Sequence, residues 1–414
     1  MRRLRPVRVL LSVLFAATAT LAVAGSASSA PAPPREVMFV GNNWVGTASV
    51  VDAHTYEVLK TINVIPDKAK RLQEIYLNPA KLAFYLAIRQ QIGQGHDQYV
   101  DDMFSTPDGT LVAVSRPSFA DVVGIDLATE KIVWRAPMTG YRSDHMAESP
   151  DGTRILVSDS TAKVVHEIDI RTGQKLRQFP SGDSPHESNY SPDGSLIYHA
   201  SIGLIYTPTD PSQFCPGTDP TKGKQYFQIV DNATFTILKR WDIGKKLAEA
   251  GFPCMSSAVR PMAIAPDQRY AYLQLSFFHG FIEFDMQQER VTRIALLPNR
   301  VPRMLKAQYI LNSAHHGLAM NAAGTKLCVA GTMDSYAAIV DRATFNYTEI
   351  PIGHVPYWAT NGPGGTQCWM SIAGDDKIDV IDYDTAAVVA QIPVGDHPQR
   401  VRLGYVAADI VAGW

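Results

Sequence analysis

The chain has 414 residues, and its 38 Lys and Arg against 40 Asp and Glu give a formal net charge of −2. So even a balance leaves no basic field of the kind that nucleic-acid binding requires. The length suits two average domains or one large repeat domain, and no segment beyond the N-terminus is long and apolar enough to cross a membrane.

At the N-terminus, Arg2, Arg3, Arg5 and Arg8 precede an apolar run from Val9 to Ala24, and small residues follow to Ser28-Ser29-Ala30. This order predicts a cleaved export signal over residues 1–30. The run is short for a bilayer span and is closed by Pro31, Pro33 and Pro34. Residues 31–35 read as a linker and 36–414 as one domain, secreted and without a membrane span after cleavage. Export favours pairing of the four cysteines. Cys215 and Cys254 lie in Pro-rich irregular stretches and form the preferred bridge. Cys328 and Cys368 occupy similar places in successive repeats and are either a second bridge or two buried thiols.

A hydrophobic residue, Asp, two variable residues and usually Thr recur through the rest of the chain, at Asp52, Asp126, Asp169, Asp231, Asp285, Asp341 and Asp382. Asp and Thr side chains can bond nearby backbone N–H groups and close a tight hairpin. A second turn precedes most copies, as Thr106-Pro-Asp-Gly109, Ser149-Pro-Asp-Gly152 and Ser191-Pro-Asp-Gly194, with weaker forms at 265–268, 321–324 and 362–365. The unit is therefore four short strands joined by two tight turns, repeated at spacings as short as 41 residues from Asp341 to Asp382. That arithmetic predicts an all-β, seven-bladed β-propeller. Its first blade is split, with the C-terminal Gln399–Tyr405 as inner strand and Val37–Val64 supplying the outer three. The two termini thus close the ring in one blade. Asn232 and Asn346 head sequon-like triplets but belong to the repeat.

These motifs resemble the YVTN-type seven-bladed propellers, chiefly through Pro185-His186…Ser191-Pro-Asp-Gly194 and His316-Gly-Leu-Ala-Met-Asn321. The resemblance spans the domain and implies the fold. Similar blades occur in surface-layer proteins, lactonase-like enzymes, amine dehydrogenase heavy chains and lyases, so it implies no single activity.

Both tight turns of each unit lie on one face of such a ring, the bottom. Every long insertion falls on the other face, at 65–95, 205–225, 244–259 and 297–314. The first carries an expected helix over Pro79–Gln91, capped by Asn78 and packed on the ring as a lid. Long loops on a rigid scaffold usually carry function, so the top is the working face. The inner strands begin there, which rings the channel mouth with Gln399 and Arg400, Asp101 and Asp102, Asp144 and His145, His186 and Glu187, Arg260, His315 and His316, and Tyr357. His96, His354 and His397 lie just outside.

Imidazoles converging with carboxylates can hold a divalent metal that activates water or polarises a carbonyl. His145, His186, His316, Asp101 and Asp144 are the candidate ligands. Without a metal, His186 or His316 can act as a general base, with Arg260 stabilising an anion and Glu187 and Tyr357 as further catalytic candidates. His315, Arg400, His96 and His354 are candidates for substrate binding. The expected function is a ligand site for a small or oligomeric anionic molecule, with metal-assisted lyase or hydrolase chemistry of the lactonase-like kind. The alternatives are a non-catalytic extracellular binding or surface protein, with a protein partner, and a redox-system subunit. The sequence has no CxxCH haem motif, nucleophile elbow, Walker loop or HExxH motif.

Overall fold

A computed structural model describes residues 32–204 and 223–414. The strands form seven four-stranded antiparallel sheets. Blade 1 joins Pro398–Val406 as its inner strand to Arg35–Asn42, Thr47–Asp52 and Val58–Asn63. The termini therefore share a blade, and the first strand begins inside the stretch expected to be a linker. The inner strands of blades 2 to 7 are Met103–Ser105, Ser143–Glu148, Pro185–Tyr190, Val259–Ile264, Leu318–Met320 and Pro356–Asn361. The export-signal residues 1–30 and most of the insertion expected at 205–225 lie outside the described residues.

The two turn motifs work as their chemistry dictates. In all seven Asp-x-x-Thr-type turns the Asp Oδ1 accepts from the backbone N–H three residues on, at 2.6–2.9 Å. In the Pro-Asp-Gly turns Gly109, Gly152 and Gly194 donate back to residues 106, 149 and 191 at 2.8 Å. Their φ values of 65–70° suit glycine, which adopts the left-handed region without steric penalty.

Apolar side chains on facing sheets make the core. One cluster combines Val37 and Phe39 of blade 1 with Val112 and Val123 of blade 2, and Ile75 and Tyr85 pack on it from above. These last two residues belong to helices α1 (Lys68–Tyr76) and α2 (Pro79–Gln91). The boundaries of α2 match the expectation, and Asn78 caps it by accepting from Ala80 and Lys81 N–H, both at 3.1 Å. Two other α-helices are described, α3 (Ile243–Glu249), capped by Asp242, and α4 (Ala408–Ala412), besides short 3-10 turns. No described helix is long and apolar enough to cross a membrane.

Of the two alternatives for Cys328 and Cys368, the disulfide is the one observed, and it ties the second strands of blades 6 and 7 at a Cα–Cα distance of 6.4 Å. It is consistent with an oxidising compartment. Cys254 is also disulfide-bonded and no cysteine among the described residues is free, while its expected partner Cys215 lies outside them. The Cys328–Cys368 bridge closes a separation of 40 residues, so replacing both by Ser should lower the unfolding free energy by about 2–4 kcal/mol. Urea titrations of variant and parent under oxidising conditions measure this, and an unchanged midpoint would show that the bridge is not stabilising.

Candidate functional site

The site begins with a repeated irregularity. In blades 1, 3, 4 and 5 the inner strand slips register against its neighbour, so that two residues oppose one. The paired residues are Gln399-Arg400, Asp144-His145, His186-Glu187 and Arg260-Pro261. Blade 7 has one extra residue, Tyr357. Blades 2 and 6 repeat the pattern just before their short inner strands. There Asp101 N–H donates to Ser115 O and Ser115 N–H to Asp102 O, and His316 and Gly317 stand in the same relation to Ala330. Such bulges re-aim side chains and are common beside active sites. The leading bulge residue of every blade, namely Asp101, Asp144, His186, Arg260, His316, Tyr357 and Gln399, lines one cavity at the top of the channel.

A bulge removes a carbonyl from its ladder, and a buried carbonyl needs another partner. The second strand of the preceding blade supplies it. Ser115 Oγ donates to Asp144 O at 2.9 Å, Ser158 Oγ to His186 O at 2.6 Å and Ser371 Oγ to Gln399 O at 2.6 Å. In blade 6 Gln274 instead brackets the second bulge residue, donating to Gly317 O, which also accepts from Ala330 N–H, and accepting from Gly317 N, all at 2.9 Å.

His145 and Arg400, which follow bulge leaders, also enter the cavity, together with Arg142 from the link before blade 3. The cover comes from the insertions and the residues flanking them: Gln91 and Ile92 at the end of α2, Gln98 and Ile202 beside insertions, and Leu311 and Asn312 of the 297–314 link. Leu311 and Asn312 hold φ values of 51° and 58°, a left-handed pair that Leu adopts only when its surroundings impose it. The open space is about 30 Å³, room for about two waters or the polar head of a small ligand. Below it, Trp358 stacks under the Arg400 guanidinium at 3.7 Å and roofs a wider chamber of about 470 Å³ that runs down to the turns at 192, 266 and 322.

The protonation pattern of the imidazoles follows from their partners. Arg400 Nη2 lies 2.6 Å from His145 Nε2, and a guanidinium can only donate, so His145 Nε2 is an acceptor. His186 Nε2, 2.8 Å from the same atom, must then donate to it. The proton of His145 is consequently on Nδ1, 3.7 Å from Asp101 Oδ2. In His186 the free lone pair is on Nδ1, which is buried and has no hydrogen-bond partner. His316 stacks on Tyr357 at 4.4 Å and approaches His186 at 5.9 Å between ring centroids. All three imidazoles are held neutral, well below the usual histidine range, first by burial and then by Arg400, Arg260 and one another.

Three guanidinium groups share this space. Arg142 pairs with Asp144, which also accepts from Ser160 Oγ at 3.0 Å. Arg400 Nε stands 3.4 Å from Asp101, whose carboxyl is pushed up by burial against the pull of that arginine. Arg260 donates to Ser276 Oγ at 2.8 Å and to Leu311 O. Among the described residues Arg260 has no carboxylate ion pair, and burial pulls it down to about 10. Burial also pushes Tyr357 up to about 12.

Several expected site residues are placed elsewhere. Asp102 is held by Arg402 at 2.7 and 2.9 Å and by Met146 N–H at 3.0 Å. Glu187 faces the lower chamber and accepts from Met262 N–H at 2.8 Å. His315 turns away from the channel, 3.2 Å from Asp334 and 3.1 Å from Tyr336 OH. His96 stacks on Trp44, whose other face carries His397, at 3.7 and 3.8 Å. His354 is exposed and bonded to Asp375 at 2.9 Å. Neither His96 nor His354 reaches the cavity lining. Arg142, Leu311 and Asn312 were missed. Arg142 stands two residues before Asp144 and was within reach of the same register argument, whereas the link residues carry no motif.

Among the described residues, buried groups with the donor types of a metal site are present in two clusters, Asp101–Asp102–His145 and His279–His315–Asp334. In each, three ligand atoms lie within 4.8 Å of one another.

No family model matches the chain, and no curated protein matches it. Among solved structures the chain is similar to Kuenenia stuttgartiensis hydrazine synthase, with a TM-score of 0.53 and 15% identity over 75% of this chain and 96% of that one. At that identity the likeness is one of fold. The YVTN resemblance accordingly stands on its turn motifs, whereas the seven-bladed ring is observed.

Burial pushes Glu187 from 4.5 up to about 7, only partly offset by Arg402. The folded protein therefore binds its proton more tightly than the unfolded chain does, and this group's contribution to stability falls as pH rises through that window. Between pH 4.5 and about 7 the parent should lose stability relative to Glu187→Gln, and stop losing it above. Urea unfolding of both proteins at a series of pH values reads this, and parallel curves would refute the shift.

Proposed function

We propose that the chain is an exported propeller whose top cavity binds the anionic head of a small molecule, such as a carboxylate, and performs acid–base chemistry on it. Arg260 carries this reading. A buried cation without a counter-ion is costly, and a bound anion would remove that cost. Arg142 and Arg400 add donors on other walls of the same cavity, and guanidinium groups suit planar, bidentate carboxylate recognition.

His186 is the group proposed to move the proton. Its Nε2 is committed to His145, its Nδ1 lone pair is unengaged, and burial keeps the ring neutral and so able to accept. Proton abstraction beside a bound carboxylate or activation of a water would place the protein among lyases or hydrolases. The cavity's small open volume and its strained cover fit a site that excludes bulk water around the reacting atoms.

A second reading, a divalent ion held by His145, His186, His316, Asp101 and Asp144, draws support from the Asp101–Asp102–His145 cluster. The surrounding charge opposes it. Arg400 already occupies the His145 lone pair, and Arg402 occupies both Asp102 oxygens.

Calorimetric titration of the mature chain with acetate, and with acetamide as its neutral counterpart, tests the anion site. Acetate should bind and acetamide should not. Arg260→Gln should weaken acetate at least tenfold, in line with about 1.5–3 kcal/mol for a charged hydrogen bond, while His186→Gln should retain it. Equal binding of the two probes, or acetate binding unchanged in Arg260→Gln, would overturn the reading. Binding without turnover of any carboxylate substrate would leave a binding protein rather than an enzyme.

A further inference from the structure

Outside the channel, three residues far apart in sequence meet at the top of blades 5 and 6. His279 ends the loop before the third strand of blade 5, His315 precedes the inner strand of blade 6, and Asp334 lies in the top turn of blade 6. All three are buried. Asp334 Oδ2 is 2.6 Å from His279 Nδ1 and 3.2 Å from His315 Nε2. From these observations we infer that His279, His315 and Asp334 form a binding site for one borderline divalent transition ion of the zinc class, separate from the channel cavity.

Four features carry the inference. Two imidazoles and one carboxylate are a donor set suited to zinc and its neighbours, and the three ligand atoms lie within 4.8 Å of one another. Second, outer contacts orient two of the three ligands: Tyr309 OH lies 3.0 Å from His279 Nε2, and Arg300 N–H donates to Asp334 Oδ1 at 2.8 Å, while His315 Nδ1 is buried without a partner among the described residues. Third, Tyr336 OH, 3.1 Å from His315 Nε2, supplies a further oxygen at the same point. Fourth, the charge is of the right sign. Asp334 is the carboxylate that favours a cation on His315, and the Arg300 guanidinium, 5.4 Å over the Tyr336 ring, is paired with Glu349. The channel cluster, by contrast, is crowded by guanidinium groups.

Such an ion would take the ring nitrogens that now face Asp334, and the proton of each neutral imidazole would move to its other nitrogen; on His279 that is Nε2, which would then donate to Tyr309 OH. It would join blade 5, blade 6 and the 297–314 link at one point. That link supplies Leu311 and Asn312 to the cavity cover, and His315 adjoins His316 in the cavity wall. The site is thus a clamp on the cover, and it stands or falls independently of anion binding below it.

The test uses the mature full-length chain, stripped with a chelator, dialysed, and titrated with Co²⁺ and then Zn²⁺. The expected result is one equivalent of bound ion by elemental analysis, cobalt d–d absorption that zinc abolishes, and a melting temperature that rises on loading. Asp334→Asn and His279→Gln should lose the ion, with folding checked by circular dichroism. His145→Ala/His186→Ala should keep it. X-ray absorption on the zinc-loaded double variant should show two imidazoles with oxygen donors, a readout that needs no change at Asp334. No retained ion in the parent, or an ion lost from His145→Ala/His186→Ala but kept by Asp334→Asn, would overturn the proposal.

Discussion

The bulge at the top of each inner strand is the constraint on which the rest of the site depends. A regular strand would send alternate residues to the channel and to the neighbouring sheet, and one residue per blade would reach the mouth. Two residues opposing one break that alternation. His145 and Arg400 can therefore enter the cavity beside Asp144 and Gln399. The bulge is tolerable because Ser115, Ser158 and Ser371 satisfy the released carbonyls from the preceding blade. The same three hydroxyls join blades 2 to 3, 3 to 4 and 7 to 1, so ring closure and site geometry share their hydrogen bonds.

Burial then sets the chemistry. Trp358 under Arg400 separates the cavity from the lower chamber, and the insertions cover it from above. In so buried a space a charge interacts strongly and an imidazole resists protonation. His145, His186 and His316 are neutral for that reason, and cationic character falls to the guanidinium groups, which remain protonated when buried. Histidine-rich composition alone suggests a metal; histidines surrounded by arginines suggest an anion.

The repeat, the closing strand and the bottom turns were legible because each is local chemistry. An Asp whose carboxylate caps its own turn does so wherever the chain runs. Helix α2 was legible for the same reason, through Asn78 and Pro79. The ring of channel residues was legible to within one position, because register counted from the Pro-Asp-Gly turns holds until the bulge. At the bulge that counting fails, so Asp101 could not be told from Asp102, His186 from Glu187, or His316 from His315. Contacts made by the links were not legible at all. Arg260 meets Leu311 through a backbone carbonyl, and no side-chain pattern reports that.

His315 and His316 show what the failed count conceals. They are adjacent and both buried, yet one faces the cavity and the other Asp334 and Tyr336. The inner strand of blade 6 is only Leu318–Met320, so both residues precede its regular ladder, and His316 N–H reaches Ala330 O at 3.4 Å. Gly317 makes this possible. A Cβ there would lie 2.9 Å from Ala359 N and 3.0 Å from Tyr357 O, so only glycine lets blade 7 approach closely enough for Tyr357 to stack on His316. The side chain missing at residue 317 thus helps to place the histidine before it.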